Sequence, residues 1–287
     1  MSPRKRATKI AIAVSSSLVS EAPHLREKTR IIGEVARAAA LYRVDDVHIY
    51  RDEPDEGHLI QQVLNYIETP QYLRRQLFKK RPELRYVGIL PPLRTPHHPL
   101  EKRSDRLRLG EFREGIVLGE EDEDHLVDIG VDRPLRATGR APSVGGRKTV
   151  QIMAVSPELR GRFASWRDVD IYWGFQTHTV DGGIGKLALS DSFDLKIATS
   201  KQGSLYGQVE PLIRGRWSES RRVLVAFGSP RRGLSGMLPD GLSRYFDFTV
   251  NVIPEQGCET VRTEEAVPAT LAILNLLDSP SPQVLNL

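Results

Sequence analysis

Apolar positions in the first third of the chain switch between two periods. Lys9 to Val14, Lys-Ile-Ala-Ile-Ala-Val, reads as a short apolar strand. Between Leu25 and Tyr42, the residues Ile31, Val35, Ala38 and Leu41 or Tyr42 fall near helical spacing. Asp46 to Tyr50 reads as a second strand. His58 to Ile67 reads as a second helix, with Leu59, Val63 and Ile67 at four-residue steps. A β-α-β-α opening predicts an α/β domain with a mostly parallel sheet.

The pattern breaks near Pro91, where Pro91, Pro92, Pro96 and Pro99 forbid a regular helix. From about Gly88 to Lys186 short strand-like runs recur between Gly- and Pro-containing turns: Gly115 to Leu118, His125 to Ile129, Lys148 to Val155 and Asp170 to Phe175. That rhythm suits a small β-barrel, and a five-stranded OB-like barrel is the economical reading. The acidic run Glu120 to Asp124 reads as a solvated hairpin tip. Buried-type strands then return at Asp194 to Ala198, Val223 to Phe227 and Phe246 to Val250. Thr263 is placed to cap a last helix with Val267, Leu271, Leu274 and Leu277 on one stripe, and Pro268 in or just past its first turn. The tail from Asp278, with Pro280 and Pro282, reads as loose. The expected organisation is one α/β domain assembled from residues 1–87 and 187–287, with a barrel inserted at 88–186.

Composition narrows the function classes. No apolar run approaches the ~20 residues of a membrane span. The basic stretch Met1 to Lys9 is not a secretory signal, since Ser15, Ser16 and Ser17 interrupt the apolar segment after it. It is either a frayed tail or an RNA-contacting arm. The one cysteine, Cys258, rules out an intrachain disulfide and a cysteine zinc cluster, which fits a reducing cytoplasm. The net charge of +4 inclines the chain only weakly toward polyanions. Two glycine-rich stretches, Gly182 to Leu187 and Val144 to Thr149, lack the spacing of a phosphate-binding loop.

The most informative segment runs from Tyr245 to Val267. A strand ends at Asn251, a turn follows with Pro254, Gln256 and Gly257, and Thr260, Arg262 and Thr263 lead into a helix opening with Glu264 and Glu265. Such a junction leaves backbone groups free beside polar side chains, a setting for a small polar ligand with an aromatic base. This segment resembles the C-terminal region of the SPOUT class of RNA methyltransferases. More narrowly, the chain is similar to an archaeal and eukaryotic branch linked to uridine N3 methylation of large-subunit ribosomal RNA. Supporting stretches are Gln71 to Phe78, Leu90-Pro91-Pro92-Leu93 with Pro96-His97-His98, Phe112 to Gly115, Tyr172 to Phe175, Ala198 to Ser200 and Val225 to Gly228.

The resemblance implies a SPOUT-type knotted α/β domain, a homodimer, and S-adenosylmethionine held by three loops that each follow a strand, where open α/β sheets place their ligands. The implied cofactor residues are Thr199, Ser200 and Gln202; Phe227, Gly228 and Gly233; and Asn251, Ile253, Pro254, Gln256, Gly257, Cys258 and Thr260. Gly228 and Gly233 would let the backbone approach closely. In the second loop, Arg231 and Arg232 are expected to face RNA phosphates.

Methylating N3 of uridine requires loss of the imide proton, so a cation that stabilises the uracil anion and a base are both useful. Arg262 is the candidate cation, against a salt bridge to Glu264 or Glu265. Glu265 or Glu255 is the candidate base, against a role at the helix dipole. Cations interleaved with aromatics between Tyr72 and Arg85 suit phosphate contact and base stacking. Arg74, Arg75, Lys79, Lys80 and Arg81, with Arg94 and His97 beyond, are the candidate RNA contacts. His97 and His98 are adjacent and would point apart on a regular element, so no metal site is expected. Two other readings stay open: a catalytically silent RNA-binding or ribosome-assembly protein on the same fold, and a scaffold for protein partners.

Overall fold

The computed structural model describes residues 3–278. In chain order the elements are β1 (Lys9–Ser15), α1 (Leu25–Leu41), β2 (Asp46–Tyr50), α2 (Gly57–Glu68) and α3 (Gln71–Leu77). Five strands follow: β3 (Phe112–Glu121), β4 (Asp124–Asp128), β5 (Leu135–Thr138), β6 (Arg147–Ala154) and β7 (Arg160–Phe163). The chain continues through β8 (Gln176–Val180), α4 (Ile184–Ala188), β9 (Leu195–Leu205) and α5 (Tyr206–Glu219). It ends with β10 (Arg222–Ala226), α6 (Leu234–Met237), β11 (Phe248–Asn251) and α7 (Thr263–Asn275). No helix among the described residues is long and apolar enough to cross a membrane.

Two compact units emerge. Among the described residues, one comprises 3–5, 66–85 and 91–174, and the other comprises 6–65, 86–90 and 175–278. The larger unit is built on a six-stranded parallel sheet in the order β11-β9-β10-β1-β2-β8. Its central strands are the continuous apolar runs: β1 and β10 are buried almost throughout, as strands covered on both faces must be. The edge strand β8 is polar and half-exposed, as edges tolerate. A strand at 176–180 therefore belongs to the parallel sheet, not to an insertion reaching residue 186, and 66–85 groups with the barrel. Helix α7 packs on α1. Its stripe of Val267, Leu271 and Leu274 is fully buried within this unit, each such side chain contributing roughly 1.5–3 kcal/mol. The stripe is therefore consumed inside the fold and offers nothing to a second subunit. Pro268 stands in the helix interior, beyond the first turn.

The smaller unit contains a closed five-stranded barrel in the order β3-β4-β5-β7-β6. β3 pairs with β6 through its first half and with β4 through its second. Gly115 sits where the strand crosses the interior, and a Cβ there would lie 2.4 Å from Val127 Cγ1. Pairing of β5 with β7 is parallel and closes the wall. Val127, Ile129, Leu135, Val150 and Ile152 fill the interior. The acidic residues after β3 form the exposed turn into β4, as read from the sequence.

Beside the barrel lies a buried ionic cluster. Arg147 donates to Glu68 Oε2 and to Glu114 Oε2, each at 2.7 Å. Glu114 Oε1 also accepts from Thr149 Oγ1 and Trp173 Nε1, each at 2.6 Å. Gly174 takes φ +88°, and a Cβ there would come within 2.6 Å of Glu68 and His97.

The N-terminal cations are engaged, not frayed. Lys5 meets the Trp166 carbonyl and lies 4.2 Å above its ring, and Arg6 pairs with Asp278 and donates to Asn275 at 2.6 Å. The loose tail read from Pro280 and Pro282 lies outside the described residues.

Candidate active site

Three loops, one within β9 and two at the carboxyl ends of β10 and β11, converge on one cavity of about 440 Å³. The first is an excursion inside β9. Pairing with β11 runs through Thr249↔Ala198 and resumes at Val250↔Ser204, so residues 199–203 bulge out of the ladder. Gly203 is required at its return, since a Cβ would lie 2.7 Å from the Thr249 carbonyl oxygen and the Val250 carbonyl carbon. Gly203→Ala is expected to cost about 1–3 kcal/mol, as overpacking does, and to weaken ligand binding in this cavity. Thermal unfolding and calorimetric titration of the variant check both effects, and a parental result in both would remove the constraint.

The loops are tied to each other. Thr199 Oγ1 donates to the Ala226 carbonyl at 3.0 Å, and Asn251 Nδ2 to the Lys201 carbonyl at 3.0 Å. Asn251 Oδ1 accepts from the Ile253 N–H at 2.9 Å. Gln256 Nε2 folds the third loop by donating to the carbonyls of Cys258 and Glu259. Thr263, the first helical residue and not the cap, donates from Oγ1 to the Gly228 carbonyl at 3.2 Å.

Of the residues expected at the cofactor, Thr199, Ser200, Gln202, Phe227, Gly228, Gly233, Asn251, Ile253, Gln256 and Thr260 line this cavity. Pro254, Gly257 and Cys258 do not. They form the exposed outer side of the turn, because Glu255 takes φ +50° and Gln256 is the residue turned inward. Gly228 permits the tight turn of the second loop, a Cβ there meeting the Gly233 Cα at 3.0 Å. At Gly233 a Cβ would face nearly open space.

The second loop is anchored from beneath by residues the sequence reading missed. Asp52, just past β2, is buried and accepts from Ser17 Oγ at 2.6 Å and Ser15 Oγ at 3.2 Å, and it pairs with Arg232. Burial alone would raise the Asp52 carboxyl. The Ser17 hydrogen bond and the Arg232 guanidinium outweigh that and hold it below the ordinary carboxylate range. Tyr50 donates to the Phe227 carbonyl at 2.7 Å. Arg232 thus anchors the loop while its side chain stays half-exposed, and Arg231 is exposed beside it on the cavity rim.

A second cavity, of about 470 Å³, shares Pro230, Thr260 and Thr263 with the first. Arg262 and Glu264 line it, with Glu21, Glu27 and Arg30 opposite. Glu265 does not. Its carboxylate accepts from the Arg262 backbone N–H at 2.9 Å, closing the first turn of α7. The carboxylate expected as base is a cap, and its neighbour faces the cavity. Glu255 lines neither cavity.

Of the candidate RNA contacts, Arg74 is half-buried and engaged within its own unit, and His97 is withdrawn by burial. Arg74 donates to the Thr69 and Ile67 carbonyls at 2.8 and 3.0 Å and stacks on Tyr66. His97 is fully buried, its Nε2 2.9 Å from the Glu68 carbonyl oxygen. Arg75, Lys79, Lys80, Arg81 and Arg94 remain on the surface.

A family model described as "Putative RNA methyltransferase" matches residues 9–274. The chain belongs to this family. A protein of Halobacterium salinarum is 37% identical, over 93% of this chain and 99% of its own length. The methyltransferase also resembles the 28S rRNA (uridine-N(3))-methyltransferase of Homo sapiens, 28% identical over 94% of this chain and 79% of that one. The Drosophila melanogaster protein of the same name is 29% identical, over 96% and 63% respectively.

The first cavity fits a methyl donor of the S-adenosylmethionine type. Its volume is that of an ordinary small-ligand site. Phe227, Val250, Val252 and Ile253 offer apolar surface, and the buried Thr270 Oγ1 on its wall has no hydrogen-bond partner among the described residues.

Proposed function

We propose that this methyltransferase moves a methyl group from S-adenosylmethionine to N3 of a uridine in ribosomal RNA. The observation that carries the reading is the pair of adjoining cavities: one formed by three converging loops, the other holding a cation and a buried carboxylate across a shared wall. The names of the human and fly relatives support the acceptor atom. S-adenosylmethionine supplies an electrophilic methyl. The loops bind and bend it through backbone groups, and Arg262 stabilises negative charge as the imide proton leaves.

We further infer a SPOUT-type knotted topology. It is supported by α7 starting beneath the second loop and then returning to α1 after the edge strand β11. An experimental trace that leaves 251–262 outside the 199–233 loops would remove it. The barrel reads as OB-like on its strand order, with the fifth strand set between the third and the fourth. We assign RNA contact to its unit through the exposed Arg75, Lys79, Lys80, Arg81 and Arg94. Homodimerisation is favoured by the exposed Leu205 and Leu212, where β9 runs into α5. A cytoplasmic address follows from a ribosomal substrate.

Ribosomal RNA from cells lacking the protein, incubated with enzyme and S-adenosylmethionine, is expected to gain N3-methyluridine on nucleoside mass spectrometry. Methyl on carbon 5, or none at all, would overturn the reading. Light scattering of the same preparation is expected at twice the 32.2 kDa chain mass, and a stable monomer would remove the dimer.

A further inference from the structure

Resting on that reading, we propose that the second cavity receives the acceptor uracil and that Glu264 is the group that takes its N3 proton. Glu264 is only 9% exposed, yet it sits in the wall of a cavity large enough for a nucleobase. Among the described hydrogen bonds and ion pairs no other residue donates to its carboxylate, which accepts from its own backbone N–H. Buried carboxylates are normally paired, and an unpaired one facing a cavity is a candidate for chemistry. Its neighbour Glu265 is already used at the helix start. Pro230, Thr260 and Thr263 belong to both cavity walls, so a base in the second cavity would lie beside a donor in the first.

The groups facing Glu264 set its basicity. Burial pushes its carboxyl above the ordinary range. Its own N–H and Arg262 pull it back, while Glu34 on α1 and Glu265 push it further up. Glu21, Glu27 and Arg30 complete the charged lining, and Arg30 is paired with Glu34. A carboxylate made more basic in this way is better matched to a weakly acidic imide.

In the step proposed, the N3–H bond breaks and its proton goes to the Glu264 carboxylate. The N3–CH3 bond forms from the nitrogen lone pair. The methyl–sulfur bond breaks with its electron pair left on sulfur, so the sulfonium becomes a neutral thioether. Arg262 faces the anionic uracil during the transfer, and Glu264 returns its proton to solvent after product leaves.

The test is Glu264→Gln in the full chain, assayed on ribosomal RNA from cells lacking the protein. Turnover at neutral pH is expected to fall at least about 100-fold, the usual contribution of a positioned base. Calorimetric affinity for S-adenosylmethionine and the melting profile should stay parental. The parental rate should fall as pH drops and Glu264 takes up its proton. The variant should instead climb log-linearly into the alkaline range, following the imide's own ionisation. RNA from the same cells grown with 5-fluorouracil, whose imide is more acidic, should recover part of the loss. A variant that turns over at the parental neutral-pH rate overturns the assignment of Glu264. A variant that folds but loses S-adenosylmethionine binding overturns it too, by moving Glu264 to the donor cavity. If the parental protein itself transfers no methyl to this RNA, the functional reading falls, and this inference with it.

Discussion

Arg262→Ala is expected to lose most methyl transfer, about 100- to 1000-fold, while S-adenosylmethionine binds as before. The size follows from the kind of interaction removed. A cation facing charge that develops only in the transition state contributes roughly 2–4 kcal/mol, and its loss appears in turnover and not in binding. Separation of the two effects follows from placement: Arg262 lines the second cavity and is absent from the wall of the first. The competing role, a salt bridge to Glu264 or Glu265, has no counterpart among the described ion pairs. What Glu265 holds is the Arg262 backbone N–H, which alanine retains. Arg262→Lys should recover only part of the rate, because a point charge does not reproduce a planar fork. Arg222→Ala, which removes a guanidinium 5.5 Å from the Phe193 ring, is the control. Single-turnover kinetics and titration calorimetry on each variant decide the matter. Parental turnover in Arg262→Ala would sink the electrostatic role, and lost donor binding would transfer the residue to the first cavity.

The α/β framework was legible because its signals are local. Apolar runs marked β1 and β10, the short segment Asp46 to Tyr50 marked β2, and helical spacing marked α1, α2 and α7, all within a few residues of their observed ends. Helix α5 was not legible: Gly207, Pro211 and Gly215 weaken its propensity, and only Ile213 and Trp217 are buried on it. In the barrel, β5 and β7 escaped notice, being four residues each with arginines on the outward positions. The run Asp170 to Phe175 looked like a strand but makes a single bridge, Ile171 to Arg4, before Gly174 turns the backbone to positive φ. At the site, the three loops were found through the family resemblance, since their glycines alone mark only turns. The distinction between Glu264 and Glu265 could not. Adjacent helical residues point about 100° apart, and which one meets a cavity depends on how α7 docks. Asp52 was equally hidden, since its partners Ser15, Ser17 and Arg232 come from distant segments.

The largest stability effect is expected in the barrel unit, from Arg147→Ala. Arg147 holds Glu68 and Glu114 together, and all three side chains are mostly withdrawn from water, with 24%, 12% and 7% exposure. Removing the guanidinium leaves two carboxylates without their shared cation. Breaking a buried pair in this way typically costs about 3–5 kcal/mol. Arg147→Lys should cost less but still more than a surface change, because one ammonium cannot fork to both partners. The acid dependence gives a second signature. Burial raises the Glu68 carboxyl, but Arg147 and His97 outweigh it and hold it well below its ordinary value. Its contribution to stability is therefore complete above the unfolded value of about 4.3 and is lost as pH falls through the folded one. In Arg147→Ala the sign reverses. The uncompensated carboxylates are pushed up, so protonating one of them relieves the variant, and its deficit should shrink as pH falls below about 5. Urea unfolding followed by tryptophan fluorescence measures both, since Trp166 and Trp173 lie in this unit and Trp173 bonds Glu114 directly. A loss under about 1 kcal/mol with a parental acid slope, the usual result for an exposed pair, would show that the cluster is solvated and contributes little to holding the barrel.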